Sequence, residues 1–239
     1  MNIQSSESLA RTRLKAIECL RDHDAAQISL GAAEVDDRLR GGLAQAALHE
    51  IYASAADAAS GAAFALLLAW RGNQTKPIFW VSETKARLAA RPYGHGLAEL
   101  GIAPDALFLV DAPDTIAALR AGADITRCGA VGAVVIEVSG KAPALDLTAS
   151  RRLALAAGQS GVMTLLLRTG AEPVPSAAGT RRQVASAPST PLPANAPGLP
   201  AFDVTLLRHR GGIAGIEARL EWNRDRQSIL GLQRRQARV

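Results

Sequence analysis

The sequence predicts an α/β fold: a mainly parallel sheet flanked by helices, finished by a C-terminal antiparallel hairpin. Apolar runs of strand length alternate with runs of helical period between residues 47 and 168. The strand runs are apolar almost throughout, as strands covered on both faces must be. After residue 200, two alternating segments flank the pair Gly211-Gly212, which marks a hairpin with a loop longer than the tightest type.

The elements follow in order. Leu9, Arg13, Leu14, Ile17 and Leu20 fall at helical spacing, so residues 7–21 read as an amphipathic helix within an N-terminal unit of residues 1–24. Residues 28–43 contain Gly31, Gly41 and Gly42 and form a turn-rich entry to the core. Strands are expected at 47–52, 77–82, 107–110, 131–138 and 162–168, with helices at 61–71, 94–100, 114–127 and 147–158. Asp114-Thr115 can cap the third of these helices; Asp146 through Ser150 opens the fourth, which is expected to stop at Gly158. Residues 170–200 are rich in Pro, Ala and Ser and read as loop, interrupted by one short strand at 180–186. The hairpin occupies 202–210 and 216–222. The core thus spans 28–224, and residues 225–239 form a basic tail without firm periodicity, expected to be disordered when alone.

Composition narrows the function classes. With 48% hydrophobic residues in 239, the chain can bury a sizeable core. No apolar run approaches the roughly 18 residues of a membrane span. Glu7, Arg11, Arg13, Lys15 and Glu18 interrupt the N-terminus, which excludes a secretory leader on pattern. Cys19 and Cys128 stand far apart and outside metal-ligand spacing, so a disulfide-free, zinc-free, cytoplasmic protein is expected. The net charge of +5 resides at one end: residues 208–239 carry eight arginines against three acids. Such an end suits an acidic partner or nucleic acid. A stacking groove for single strands is not supported, since the chain has nine aromatic residues and the tail none.

The stretch from Ile51 to Ala63 has the frame of a strand–loop–helix phosphate-binding motif without its chemistry. Such a loop needs glycines for close backbone approach, a Lys for the terminal phosphates and a Ser or Thr hydroxyl for the metal. One glycine remains, Gly61; the next positions are Ala62 and Ala63, and Ser60 lies on the wrong side of Gly61 to replace the metal ligand. Rescue would require Arg71 or Lys76 to reach the loop. The missing Lys and hydroxyl contribute roughly 1.5–3 kcal/mol each in charge-assisted contacts. Neither nucleotide nor metal is therefore expected to bind.

Taken in order, the segments resemble the RecA-like core: Leu30 to Leu43, the strand at Glu50-Ile51, the eroded loop, Trp80-Val81-Ser82-Glu83, Leu100 to Asp114, Ala133 to Glu137, and the hairpin with Arg208-His209-Arg210. Within that superfamily the chain is similar to the ImuA family of the bacterial damage-inducible mutagenesis cassette. Gly42 to Glu50, Tyr93 to Ile102, Leu145 to Leu153, Ala177 to Arg182, Leu207 to Gly212 and Leu220 to Asn223 carry that resemblance. It covers roughly residues 30–225.

The resemblance implies a non-catalytic adaptor in SOS-induced, error-prone translesion synthesis. Its partners would be ImuB, a catalytically inactive relative of Y-family polymerases, and RecA, with an error-prone C-family polymerase reached indirectly. Glu83 matches the water-activating carboxylate of RecA-like ATPases, and Glu137 the metal-associated one; without the Lys, both read as vestigial acids capping neighbouring segments. Arg208, His209 and Arg210 match basic positions that reach a neighbouring protomer in RecA filaments. They join Leu14, Ile17, Leu20, Arg224, Arg234, Arg235 and Arg238 as candidate partner-binding residues. His49 and His95 lack triad or ligand partners and read as packing or surface residues. Two rival functions are a DNA-dependent ATPase with an atypical loop and an SOS inhibitor of cell division.

Overall fold

A computed structural model describes residues 26–31, 33–84, 92–211 and 214–232. The expected N-terminal helix with Leu14, Ile17 and Leu20, and the arginines at 234, 235 and 238, lie outside the described residues. Strands β1 (Gln27–Ile28) and β2 (Leu43–Ala44) form a small antiparallel ribbon around α1 (Ala33–Arg38). The main run follows as β3 (Leu48–Ala53), α2 (Ala58–Gly72), β4 (Ile78–Glu83), α3 (Gly94–Glu99), β5 (Leu107–Ala112), α4 (Thr115–Thr126), β6 (Ala133–Ser139), α5 (Leu147–Ser160), β7 (Met163–Thr169) and β8 (Thr180–Ser186). It closes with β9 (Ala201–His209), β10 (Ile216–Asn223) and β11 (Ser228–Leu232).

Nine strands form one sheet in the order β11-β10-β9-β8-β3-β7-β6-β4-β5. From β5 to β8 all neighbours are parallel; β8 to β11 are antiparallel. Because strand side chains alternate between faces, the sheet carries two cores. On one face α2 packs over Ile51, Trp80, Val135, Leu165 and Leu167, continuing to Phe202, Leu220 and Trp222. On the other, Leu119 of α4 and Leu153 of α5 meet Leu48, Val81, Val134, Ile136 and Leu166. The expected α/β architecture with a C-terminal hairpin is the observed one.

Several boundaries differ from expectation, each for a physical reason. α2 starts at Ala58, a turn before Gly61, because Ala58-Ala59-Ser60 tolerate helix and nothing in them forces a loop. α5 runs through Gly158 and stops at Gly161, whose φ of 75° supplies the left-handed stop that Gly158 does not. Asp114 and Asp146 cap as expected, accepting from Ala117 N–H and Ala149 N–H. The core also extends past residue 224. Residues 228–232, assigned to the tail by sequence, pair with β10, and Ile229 is buried. Gly31 meets this strand: its φ is 72°, a Cβ there would lie 1.5 Å from the Ile229 carbonyl oxygen, and its own carbonyl accepts from Gly231 N–H.

A buried polar chain ties β3, β8 and β2 together. His49 Nε2 lies 2.8 Å from the Ala44 carbonyl, which only accepts, so Nε2 carries the proton. Nδ1 then accepts from the Thr180 hydroxyl at 2.7 Å, and Thr180 Oγ1 accepts from Arg182 Nη1 at 2.6 Å. Burial, reinforced by the Arg182 cation, holds His49 down at a pKa of about 3; burial pushes Arg182 down to about 9. The unfolded imidazole protonates near 6.5 and the folded one near 3, so acidification feeds protons to the unfolded state. The stability due to neutral His49 is complete above pH 6.5 and lost progressively towards pH 3. Between pH 7 and pH 4 the loss from this residue should be about 3 kcal/mol. Urea titrations at the two pH values, repeated on His49→Gln, should show that part of the acid dependence removed.

Candidate functional site at the carboxyl end of strand β3

The order of the sheet turns over at β3. The chain leaves β3 for β4 on one side, while β7 returns to β8 on the other. In open α/β sheets, ligands bind beyond the carboxyl ends of the strands at such a point. The carboxyl end of β3 leads into Ser54–Asp57 and the first turns of α2, the segment in which the sequence showed an eroded phosphate loop.

Four residues connect the strand to the helix, and they are bonded to themselves and to β8. Asp57 N–H donates to the Ser54 carbonyl, also lying 3.1 Å from its hydroxyl oxygen, and Ser54 Oγ donates to the Asp57 carboxylate at 2.7 Å. The other carboxylate oxygen accepts from Ser186 N–H and Ser186 Oγ, both at 2.9 Å. These bonds, from Ser186 foremost, hold the Asp57 carboxyl below its usual range. A carboxylate thus stands at the mouth of the loop, where a phosphate would need positive charge.

Gly61 is a packing glycine. Its N–H donates to the Asp57 carbonyl within the helix, and a Cβ at this position would lie 2.7 Å from Ala53 Cβ and 3.3 Å from Leu167 Cδ1. Ser60 is half-buried; Ala62 and Ala63 are half-buried against the core. Neither basic rescuer is nearby. Arg71 lies ten residues further along α2, about 15 Å at 1.5 Å per residue, and donates to the Gln227 carbonyl. Lys76 donates to the Gly129 carbonyl. At the start of α2 the positions after Gly61 supply neither the cation contact nor the metal hydroxyl of a magnesium–triphosphate, and the Gly61 amide is committed to the helix.

The two acids do not converge. Glu83 ends β4 on the α4 face, where Oε1 accepts from Thr115 Oγ1 at 2.5 Å in the first turn of α4. Glu137 lies on β6 with Val135 and Ala133, on the α2 face, and accepts from Trp80 Nε1 at 3.0 Å. Burial pushes the Glu137 carboxyl up. One pleat step separates their partners across β4–β6, so they point to opposite faces. Each carboxylate meets a neighbouring donor.

A second set of polar residues gathers on the α5 face of the same sheet end. Glu50 on β3, 1% exposed, accepts from Arg181 Nε at 2.8 Å. Tyr52 lies between two guanidiniums, Arg168 at 5.9 Å and Arg181 at 5.8 Å from its ring centre; burial and then the Glu50 charge push its phenol up. Arg168 donates to the carbonyls of Val138 and Gly140. The irregular segment 171–178 is strapped over this group: Arg181 donates to the Val174 carbonyl, Arg208 to that of Ser176, and Arg210 to that of Ala177.

Arg208 and Arg210, expected as open partner contacts, are therefore also anchors of this strap. The His209 ring accepts from Gly211 N–H at the hairpin tip, and Arg224 is exposed beside Asp225. His49 is buried in β3, His95 exposed beside Tyr93, and Trp222 is core with its indole N–H on the Leu100 carbonyl. Sequence reading missed Glu50, Tyr52, Arg168, Arg181 and Asp57. The signal was present: Glu50 interrupts an apolar central strand, and Arg181-Arg182 send one cation to each face of β8. Among the described residues no group of three metal-ligating side chains exists.

The packing role of Gly61 gives a test by sign. Gly61→Ala should destabilise the fold by about 1–2 kcal/mol, overpacking at Ala53 exceeding the gain in helix propensity. Gly158→Ala, in an exposed part of α5 with 3.9 Å of clearance, should stabilise it by roughly 0.5–1 kcal/mol. Denaturant midpoints of the two variants check both signs.

No family model matches this chain, and no curated protein matches it. Among solved structures, the crystal structure of the RadB recombinase is similar over 87% of this chain and 100% of its own, with a TM-score of 0.57 and 16% sequence identity. At that identity the likeness concerns the fold, which is RecA-like.

Proposed function

We propose that this chain is a RecA-like adaptor without ATPase activity, acting in SOS-induced translesion synthesis beside an ImuB-type inactive polymerase and RecA. The observation that carries the reading is the closed loop after β3. The Gly61 amide belongs to the helix, Asp57 presents a carboxylate, and Ala62 and Ala63 are packed against the core. The ordered segments resembling ImuA, together with a RecA-like fold, support the placement within DNA damage tolerance. On this reading the C-family polymerase is reached through ImuB, DNA is contacted weakly if at all, and the protein works in the cytoplasm. No described helix is long and apolar enough to cross a membrane. The N-terminal helix, the hairpin with Arg208 to Arg210 and the arginine-rich tail are the proposed contact elements.

ATP turnover by the purified chain, with and without single-stranded DNA, should stay at the no-enzyme background, and Glu83→Gln should change nothing. Turnover stimulated by DNA and abolished by Glu83→Gln would establish the ATPase reading instead. Restoring the consensus atoms with Ala62→Lys and Ala63→Thr should not create turnover, because the loop remains closed by Asp57.

Retention of ImuB and RecA on the immobilised chain should be the same with and without ATP. Retention of ImuB should fall steeply with salt if the arginine tail carries it. Loss of both partners at low salt would end the adaptor reading.

A further inference from the structure

The two edges of the nine-stranded sheet are unlike. At β11 the Gly31 carbonyl accepts from Gly231 N–H, so backbone from the entry segment meets that edge. At the other edge, among the described residues, β5 pairs with β4 alone. β5 reads Leu107-Phe-Leu-Val-Asp-Ala112 and contains no proline, lysine, glycine or bulge. Proline, lysine and bulges are among the devices that normally blunt an open edge, and the strand's one charge, Asp111, stands one residue from its end. It also exposes apolar side chains on both faces: Phe108 is 50% exposed and stacks on Phe79 with ring centres 5.1 Å apart, and Leu109 is 42% exposed. Such a strand is a template for pairing with another.

We propose that the occupant of this edge is a second copy of the chain, its β5 paired antiparallel about a two-fold axis through Leu109. Self-complementarity of the strand selects the copy and fixes the register. A two-fold axis perpendicular to the sheet preserves its faces, so only residues of equal parity stand opposite each other. An axis at Phe108 would pair only residues 107–109, since Asp111 would fall opposite the partner's residue 105, before β5 begins. An axis at Val110 would set Leu109 against the partner's Asp111 beside the axis and leave Phe108 opposite the partner's Ala112. An axis at Leu109 sets Phe108 against the partner's Val110 on the α4 face, in both directions, and Leu109 against itself on the other. Asp111 then faces the partner's Leu107 at the solvent rim. Aromatic–β-branched and apolar cross-strand pairs are the stabilising kind, and like charges directly opposite are the destabilising kind. The Leu109 register pairs residues 107–111 in full, keeps its aromatic–β-branched and apolar pairs at the centre, and moves the Leu–Asp pairs to its ends. The resulting sheet continues through the axis, and the two loops after β3 belong to separate halves of the assembly.

The test is sedimentation of the full chain over a concentration series, with Cys19 and Cys128 replaced by Ser for the cross-linking arm. A reversible dimer is expected, and Leu109→Lys, which places two ammonium groups at the axis, should weaken it by about a hundredfold, roughly 2.7 kcal/mol. Leu109→Val should leave it intact, and Leu155→Lys, at a position on α5 that is 62% exposed, should as well. Leu109→Cys should form a covalent dimer under mild oxidation or with a short bismaleimide, while Leu155→Cys should not. Unchanged thermal melting of Leu109→Lys at low concentration separates loss of pairing from loss of fold. A chain that stays monomeric at about 100 μM overturns the proposal, whether or not another protein's strand is captured there. A dimer that survives Leu109→Lys, or that cross-links through residue 155, overturns it equally.

Discussion

The close approach of α2 to β3 at Gly61 governs the rest of the site. A methyl at that position would already collide with Ala53, so the helix lies directly on the carboxyl end of the central strand. A helix that close must begin almost at once, and four residues suffice to turn the chain into it. A loop that wraps a phosphate has to stand away from the helix and leave its amides free. Here the amide at Gly61 is spent inside the helix, and the short loop finds its partners in Ser54, Asp57 and Ser186. The alanines after Gly61 therefore stand in a segment whose geometry is set by the packing of the helix on β3.

Charge inside the sheet is the second constraint. Glu50 and Arg181 form a pair whose carboxylate is almost wholly buried. A buried pair repays its desolvation only with good geometry, but removing one partner leaves an uncompensated charge at roughly 3–5 kcal/mol. Its effect is positional. It fixes β8 against β3 on the face where the register already sets Glu50 beside Arg181. The strap at 171–178 then hangs on arginine-to-carbonyl bonds, each contributing about 1.5–3 kcal/mol at most because one side is charged. Arg182, on the opposite face, has only Thr180 as a hydrogen-bond partner among the described residues, and one of its nitrogens has none. That cation destabilises the fold at neutral pH, and its depressed pKa is the measure of it. Its neighbour His49 stays neutral for the same reason.

Much of this architecture was legible in residues alone, and the failures have physical causes. Apolar period and cap residues placed the five predicted parallel strands and their helices because those signals are local: Asp114 and Asp146 cap within their own turn. Lengths were misjudged where a residue type permits two outcomes. Gly158 sits inside α5 since nothing there demands a positive φ, whereas Gly161 has one. β11 was hidden because five residues with a glycine in an arginine-rich setting carry no pattern. Their strand character comes from β10 beside them. The two acids at the strand ends show the limit most clearly. Glu83 and Glu137 were aligned with functional positions, but whether they face each other depends on the parity of two strands in register, a tertiary property. Similarly, Arg208 and Arg210 looked free because their acceptors, Ser176 and Ala177, are about 30 residues away in a segment without periodicity.

These constraints bear on how an adaptor of this build would be controlled. A nucleotide switch needs a loop whose hydrogen bonds differ between two states and a ligand that distinguishes them. The loop after β3 is fastened to the end of β8 through Ser186, and β8 is fastened to β3 through Glu50–Arg181 and His49–Thr180. A ligand would have to break bonds that are internally satisfied, and it would meet the Asp57 carboxylate on arrival. With no differential affinity there is no shift in population. On the adaptor reading, association is therefore constitutive, set by the concentration of the partners and by salt rather than by ATP. The strap is held largely by side chains. Its bonds to Arg181, Arg208 and Arg210 are of a kind that an acidic partner can replace one for one, so adjustment of the surface on binding would begin there, leaving the sheet beneath it unchanged.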